Sequence, residues 1–390
     1  MARLIEITGK ALSGEWGTDD ETGEGIPVLR TTNFTNEGVV NYNDVVTRKI
    51  TKKNINDKFL RKGDIIIEKS GGSDKFPVGR VIYFDGVENT YLFNNFTGLL
   101  RVKDREVWYP RYIFYSLYAN YKRGGTRSFE NKTTGLHNLK TDTYVEQFEV
   151  GEKSKKEQVS ICNKLDKLHD VMKLREQELQ MLNDLIKARF VELFGDPRSN
   201  PFGFEKKMLK DTCKVITGNT PSRAIAEYYG DYIEWIKTDN IVSGILSPTQ
   251  ATESLSEKGM NVGRTVEKNS ILMACIAGSI ASIGRVCITD RTVAFNQQIN
   301  AVVPEQYNIL FLYVLLQMSK DYLVEDINMA LKGILSKSKL EEKEFIIPPM
   351  DLQEQFSDFV KQVDKSKVVV QKALDETQIL FNSLMQQYFG

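Results

Sequence analysis

The stretch SKKEQVSICNKLDKLHDVMKLREQELQMLNDLIKARFVELFG, residues 154–195, decides how the chain is built. Within it Ile161, Leu165, Leu168, Met172, Leu179, Leu182, Ile186 and Leu193 keep a heptad's alternating spacing of four and three, with Arg175 and Arg189 the charged exceptions. A seam of that length is the apolar face of a helix about 60 Å long, and it needs a partner helix to cover it. Residues 351–390 supply one. Leu352, Phe356, Phe359, Val363, Val370, Leu380 and Leu384 follow the same spacing, interrupted at Ser366, Ala373 and Thr377. The two stretches also open alike: Ser154 and Asp351 are N-cap residue types, and Glu157 and Glu354 stand three positions on. Cap and glutamate are therefore expected to satisfy each other's free backbone donors. Both stretches continue as Glu-Gln and both close on Phe-Gly, at Phe194-Gly195 and Phe389-Gly390. The pattern predicts two long helices paired as an antiparallel coiled coil that carries globular domains.

Composition bounds those domains. A chain of 390 residues, 41% hydrophobic and 27% charged, can bury more than one core. No apolar run approaches the ~20 residues of a membrane span, and Glu6 and Lys10 interrupt the first apolar stretch, so no membrane partner is expected and the compartment is expected to be the cytoplasm. Cys162, Cys213, Cys275 and Cys287 stand apart, and His137 and His169 are the only histidines, which argues against a zinc site or a disulfide framework. Basic and acidic residues balance at 52 each, so a nucleic-acid partner would be met by local basic loops and not by global charge.

The segments between the helices repeat one another. Ile26-Pro27-Val28-Leu29-Arg30-Thr31-Thr32-Asn33-Phe34 matches Ile233-Glu234-Trp235-Ile236-Lys237-Thr238-Asp239-Asn240-Ile241, and further matches keep the order: Gly79-Arg80-Val81 with Gly284-Arg285-Val286, Phe93-Asn94-Asn95 with Phe295-Asn296-Gln297, and Gly135-Leu136 with Gly333-Ile334. Repetition on this scale marks two copies of one supersecondary plan. Each copy mixes short β-branched runs, such as Asp64-Ile65-Ile66-Ile67, with Gly and Asn turns, so each reads as an α+β domain. The aromatic stripe Tyr112, Tyr115, Leu117, Tyr118 has the spacing of a helix buried in the first core. Asp196-Pro197 stops the first long helix and starts the linker to the second copy.

Catalytic signatures are missing. The Pro-Pro pair, Pro348-Pro349, follows Ile347 and precedes Met350, which is not the Asn/Asp-Pro-Pro-aromatic motif of an adenine methyltransferase. There is no P-loop, Gly23-Glu24-Gly25 is an isolated turn fragment, and no Pro-Asp dipeptide announces a nuclease, Asp64 with Glu68-Lys69 reading as strand-end charge. What remains is loop chemistry suited to phosphates and base edges. One basic stretch runs from Arg48 through Lys58 to Lys62. Another, richer in glycine, runs from Lys122 and Arg123 through Gly124, Gly125 and Arg127 to Lys132.

Taken together, the duplicated plan, the paired Glu-Gln helices, Leu193-Phe194-Gly195-Asp196-Pro197, Thr217-Gly218-Asn219-Thr220-Pro221-Ser222 and Phe345-Ile346-Ile347-Pro348-Pro349-Met350 resemble the specificity subunit of a type I restriction-modification system. The first copy departs from the pattern, with Ser13-Gly14-Glu15-Trp16-Gly17 at the opening and Val150-Gly151-Glu152 in place of the prolines. The resemblance implies an α+β, pseudo-two-fold chain: target-recognition domains at 1–150 and 197–350, a conserved helix with the start of the linker at 151–196, and a second conserved helix at 351–390. It also implies a non-catalytic chain that binds double-stranded DNA, two methyltransferase subunits and, in the full complex, restriction subunits, with S-adenosylmethionine held by the methyltransferase and no cofactor of its own. The expected DNA contacts are Arg30, Thr31, Asn33, Lys69, Asn94, Lys122, Arg123, Arg127, Lys132, Thr134 and His137 in the first domain, and Lys237, Thr238, Asn240, Ser279, Gln297, Gln298 and Lys332 in the second.

Overall fold

The structure is a computed structural model that describes residues 1–131, 137–327 and 333–390. Two continuous helices of 40 residues each, Lys155–Phe194 and Met350–Phe389, dominate it. The chain divides into two compact units, Met1–Leu174 with Ala373–Gly390, and Arg175–Lys372, so each unit owns half of each long helix. In the first unit the head of one helix packs on the tail of the other, with Ile161, Leu165, Met172, Phe381 and Met385 in one core. In the second unit the halves are exchanged, and Ile186, Phe190 and Phe194 share a core with Phe356, Val360 and Val363. Head against tail in both units is the antiparallel pairing the heptads predict.

The seam differs in detail from the sequence pattern. Leu380 is 49% exposed while its neighbour Phe381 is 6% exposed and carries the contact. Val360 and Phe381 are buried one residue beyond Phe359 and Leu380 of the series, because 3.6 residues per turn drift against a strict heptad. Phe190 and Phe194, each one residue beyond a member of the predicted series (Arg189 and Leu193), are fully buried.

The caps differ as well. Ser154 and Glu157 form the expected box, the Ser154 N–H donating to Glu157 Oε2 over 2.9 Å and the Glu157 N–H to Ser154 Oγ over 3.3 Å. Asp351 instead lies inside its helix, which begins at Met350. The matched residues are two buried glutamines, Gln158 and Gln353, 0% and 1% exposed. Gln158 Oε1 accepts from the Tyr109 N–H over 2.8 Å, and its Nε2 donates to the carbonyls of Val107 and Lys153. Gln353 Oε1 accepts from the Asn308 N–H over 3.0 Å, and its Nε2 donates to the Pro348 carbonyl. Each glutamine thus ties a long helix to the first turn of its domain's own helix, Pro110–Lys122 or Ile309–Met318. Gln158 and Gln353 are 195 residues apart, the same interval as Gly195 and Gly390. The helix repeat is in register from end to end.

Among the described residues each domain holds two sheets of four or five strands, beside smaller ones of two or three. In the first unit an antiparallel sheet orders Leu12–Ser13, Thr97–Leu100, Ile65–Glu68 and Val81–Tyr83; in the second unit Cys213–Thr217, Ile299–Pro304, Ile271–Ala274 and Val286–Ile288 do the same. The central strands are covered on both faces. Ile65 and Ile67 point into the helix-side core and Ile66 into a second one, as Ile271 and Met273 do opposite Leu272 and Ala274. Burial on both sides is why these runs are apolar without alternation. The second sheet in each unit contains one parallel pair, Leu29 beside Phe93 and Ile236 beside Phe295. Tyr112, Tyr115 and Leu117 are core, 1%, 3% and 0% exposed.

Candidate nucleic-acid interface

The parallel pairs lead directly into the turns that carry the expected contacts. After Leu29 and after Ile236 the chain makes a 3-10 turn, Thr31–Asn33 and Thr238–Asn240. Asn33 Oδ1 accepts from the Arg30 N–H over 2.9 Å and Asn240 Oδ1 from the Lys237 N–H over 3.0 Å, and the Nδ2 of each donates across the loop to the segment that returns. Both asparagines are nearly buried, at 1% and 7%. Their side chains are spent on shaping the turn. Arg80 braces the first turn by donating to the carbonyls of Thr31 and Phe34. Arg30 pairs with Asp44 over 2.9 Å, and Lys237 lies over Trp235 and pairs with Glu253.

A second turn follows Phe93 and Phe295, and its backbone is built the same way in both units. The Asn94 N–H donates to the Leu29 carbonyl and the Asn296 N–H to the Ile236 carbonyl, each near 3 Å. Gly14 and Gly218 press against these turns so closely that a Cβ on either would sit 2.2 Å from the carbonyl oxygen of Asn94 or Asn296. Only glycine fits such an approach. Ser13-Gly14-Glu15 is therefore the spatial counterpart of Thr217-Gly218-Asn219, although the residues around it do not match.

What this shared turn displays differs between the units. In the first it presents Asn95 and Phe96, Phe96 being 52% exposed, at the mouth of a cleft that Lys69, Ser13 and Asn138 also line. Lys69 donates to Ser13 Oγ over 3.0 Å. Burial lowers its amine from the ordinary value, Asp142 opposing and Lys58 adding to the fall. The turn of the second unit presents Gln297, exposed, and Gln298, half-buried. Backbone bonds repeat at this point, the Lys69 and Cys275 N–H groups donating over 2.8 Å to the carbonyls of Phe96 and Gln298. A lysine in one copy occupies the place of a buried cysteine in the other.

The adjoining loops carry one exposed apolar side chain each, Phe76 at 57% and Ile280 at 44%. Arg127 donates to the carbonyls of Asp74 and Lys75, and His137, 6% exposed, lies 3.0 Å from Glu130 Oε2 and 3.6 Å from Asp74 Oδ1. Both residues fasten the Phe76 loop from below. Ser279, exposed in the Ile280 loop, meets Ser282 over 3.0 Å. Lys122 and Arg123 lie elsewhere, at the end of the helix Pro110–Lys122, where Arg123 donates to the Phe389 carbonyl. Lys132, Thr134 and Lys332 fall outside the described residues, as does the Gly135-Leu136 half of one repeat match. Three cations of the basic stretch 48–62 are engaged within the domain: Arg48 stacks on Trp16 at 4.2 Å and pairs with Asp19, while Lys52 and Lys58 both meet Glu15. Asp64, fully buried, is held by a two-pronged contact from Arg101 at 2.6 and 2.8 Å, a structural use of that carboxylate.

The sequence pattern passes over Phe76, Phe96 and Asn95 as base contacts. The signal available was the match of Asn95 to Gln297, a polar pair that changes identity inside a conserved turn. Among the described residues no cluster of His, Cys, Asp and Glu is arranged to hold a metal ion, and no helix is long and apolar enough to cross a membrane.

A family model described as the type I restriction modification DNA specificity domain matches residues 4–184 and 201–377, once for each half. Over 120 residues the chain is 35% identical to the Type I restriction enzyme HindI specificity subunit of Haemophilus influenzae, covering 30% of this chain and 25% of that one. Over 185 residues it is 25% identical to the Type I restriction enzyme MjaIX specificity subunit of Methanocaldococcus jannaschii, covering 44% and 42%. The matched parts thus span less than half the length of either relative. The fold is similar to the crystal structure of a type I restriction-modification S subunit from M. genitalium, with a TM-score of 0.59 at 16% identity over 100% of this chain and 95% of that one. It is also similar to a chain from a structure concerned with complex assembly and conformational transition of a type I R-M system, with a TM-score of 0.56 at 15% identity over 100% and 96%. With both halves matched, the chain belongs to the type I restriction modification DNA specificity domain family.

Proposed function

We propose that the chain is the non-catalytic specificity subunit of a cytoplasmic type I restriction-modification complex. Each domain reads one half of a bipartite, asymmetric site in double-stranded DNA, and the long helices set the spacer and dock two methyltransferase subunits. Methyl transfer from S-adenosylmethionine and cleavage belong to the partner methyltransferase and restriction subunits. One observation carries this reading: a single backbone scaffold, pinned by Gly14 in one copy and Gly218 in the other, holds out different side chains in the two copies. A duplicated frame with altered side chains at the same turn is what reading two unlike sequences requires. Asn and Gln side chains pair with the N6 and N7 of adenine, lysine with the O6 and N7 of guanine, and apolar side chains meet the thymine methyl. Asn95, Phe96, Lys69 and Asn138 are the proposed readers of one half-site, and Gln297, Gln298 and Ser279 of the other. Arg127 and His137 position the Phe76 loop; Arg30, Thr31, Asn33, Asn94, Lys237, Thr238 and Asn240 form the turns beneath.

The test is a methyl-transfer assay with labelled S-adenosylmethionine and duplex DNA. The purified chain should transfer nothing alone, bind specific duplex with an affinity that falls steeply with salt, and direct methylation once its methyltransferase subunit is added. Transfer by the chain alone would replace this reading with an enzyme, and salt-insensitive or absent DNA binding would replace it with a structural adaptor.

A further inference from the structure

One cleft in each unit occupies the same place in the repeat. In the first unit a cleft of about 470 Å³ lies between the Asn36-Glu37 turn, the end of the helix Pro110–Lys122 and the tail of the second long helix. A cleft of about 410 Å³ in the second unit lies between Ser243-Gly244, the helix Ile309–Met318 and the latter part of the first long helix. The intervals of the repeat make them equivalent. Asn36 and Ser243 are 207 residues apart, as are the 3-10 turns; Tyr118 and Gln317 are 199 apart, as are Tyr109 and Asn308; Phe381 and Ile186 are 195 apart, as are the two terminal glycines of the long helices.

Their chemistry is shared too. Each has an apolar floor, Phe381 and Ile186 being 6% and 8% exposed, and an amide on the wall from Gln378 or Asn183. In each lining, cations outnumber carboxylates: Lys122 and Arg123 against Glu37 in one, and Lys187, Arg285, Lys320 and Lys367 against Asp364 in the other, where Lys367 pairs with Asp364 over 3.1 Å and Lys187 with Asp184, outside the lining, over 3.4 Å. Arg123 is anchored on the Phe389 carbonyl and Lys320 on that of Ala281, so these charges are held in place. Burial also lowers the Lys122 amine from its ordinary value, Glu37 opposing. A carboxylate entering the cleft would relieve that cost.

We infer that the two clefts are one docking site in duplicate, each receiving the same acidic segment of a partner present in two identical copies. Resting on the reading above, that partner is the methyltransferase subunit. A recess floored by buried apolar side chains and lined by anchored cations suits an apolar anchor residue flanked by carboxylates. A DNA backbone offers phosphates but no such anchor.

The experiment is native mass spectrometry of the full chain mixed with purified methyltransferase subunit. Wild type should carry two copies. Lys122→Glu, in one cleft, and Lys187→Glu, in the other, should each weaken one site about tenfold or more and leave one copy bound near the wild-type dissociation constant; the double variant should carry none. Lys122→Gln and Lys187→Gln should fall between, and unchanged circular dichroism would separate docking from folding. Two copies on every variant would overturn the inference while leaving the specificity-subunit reading intact. Retention of two copies with weakened DNA binding would reassign the clefts to phosphates and likewise overturn it. Failure of wild type to bind any methyltransferase subunit would remove both the inference and the reading beneath it.

Discussion

The buried glutamines offer the sharpest test of how the long helices are attached. Replacing Gln158 with leucine keeps the side chain's approximate volume but strips the Tyr109 N–H of its acceptor at 2.8 Å and the Val107 and Lys153 carbonyls of a donor at 3.0 and 2.9 Å. The position is fully buried, so water does not replace these bonds without opening the packing. An orphaned buried donor costs about 1–3 kcal/mol, and the carbonyls add less because each keeps a second lone pair; the expected loss is about 2–4 kcal/mol. Gln353→Leu removes the equivalent bonds to Asn308 and Pro348 and should cost about as much in the other unit. Gln355→Leu is the control. It sits in the Glu-Gln pair that the sequence aligns with Glu157-Gln158, yet it is exposed, and its replacement should change stability by less than about 0.5 kcal/mol. Urea titration with hydrogen-exchange readout at the Tyr109 and Asn308 amides would assign each loss to its unit. Gln355→Leu as damaging as Gln353→Leu would refute the register of 195 residues.

Four further outcomes follow from the packing and charges. Phe381→Ala should cost about 3–5 kcal/mol in a denaturation series, whereas Leu380→Ala, on the exposed side of the same turn, should cost under about 0.5 kcal/mol. Arg101→Met leaves the Asp64 carboxylate buried without its partner and should cost about 3–5 kcal/mol, measured by the urea midpoint of the first unit. Burial raises the Glu68 carboxyl above its ordinary 4.5, with Arg80 opposing. The folded state therefore holds that proton to higher pH than the unfolded chain does, and its contribution is lost as pH rises from 4.5 through the folded value; Glu68→Gln should flatten this fall in titrations repeated across that range. Gly218→Ala would drive a Cβ to within 2.2 Å of the Asn296 oxygen, and it should relax or abolish recognition of one half-site while the other persists, as read from the bases methylated.

How much of this was legible depended on the range of the interaction. The long helices were visible because a heptad seam is written locally, and the α+β class because Ile65-Ile66-Ile67 and its counterpart are strand-like at short range. The seam's shift to Phe381 was hidden, since it follows from helical drift that the interruptions at Ala373 and Thr377 only permit. Equivalence of Gly14 and Gly218 was hidden for another reason: it lies in a contact with Phe93-Asn94 or Phe295-Asn296 some 80 residues away, which no local pattern records. Arg123 and Arg127 show the limit of reading a basic stretch as one surface. Four residues apart, they point to different partners, one to the end of a long helix and one to the Phe76 loop. Exposed aromatics such as Phe96 resemble core residues until the fold says which side they face.

The most direct test of the central claim is sequencing of genomic methylation in a host that lacks related systems and expresses the chain with its methyltransferase subunit. The account predicts a site of two short blocks separated by unread bases. In it, Asn95→Ala changes the letters of one block only and Gln297→Ala those of the other only. A single continuous block, or two variants that alter the same block, would contradict it.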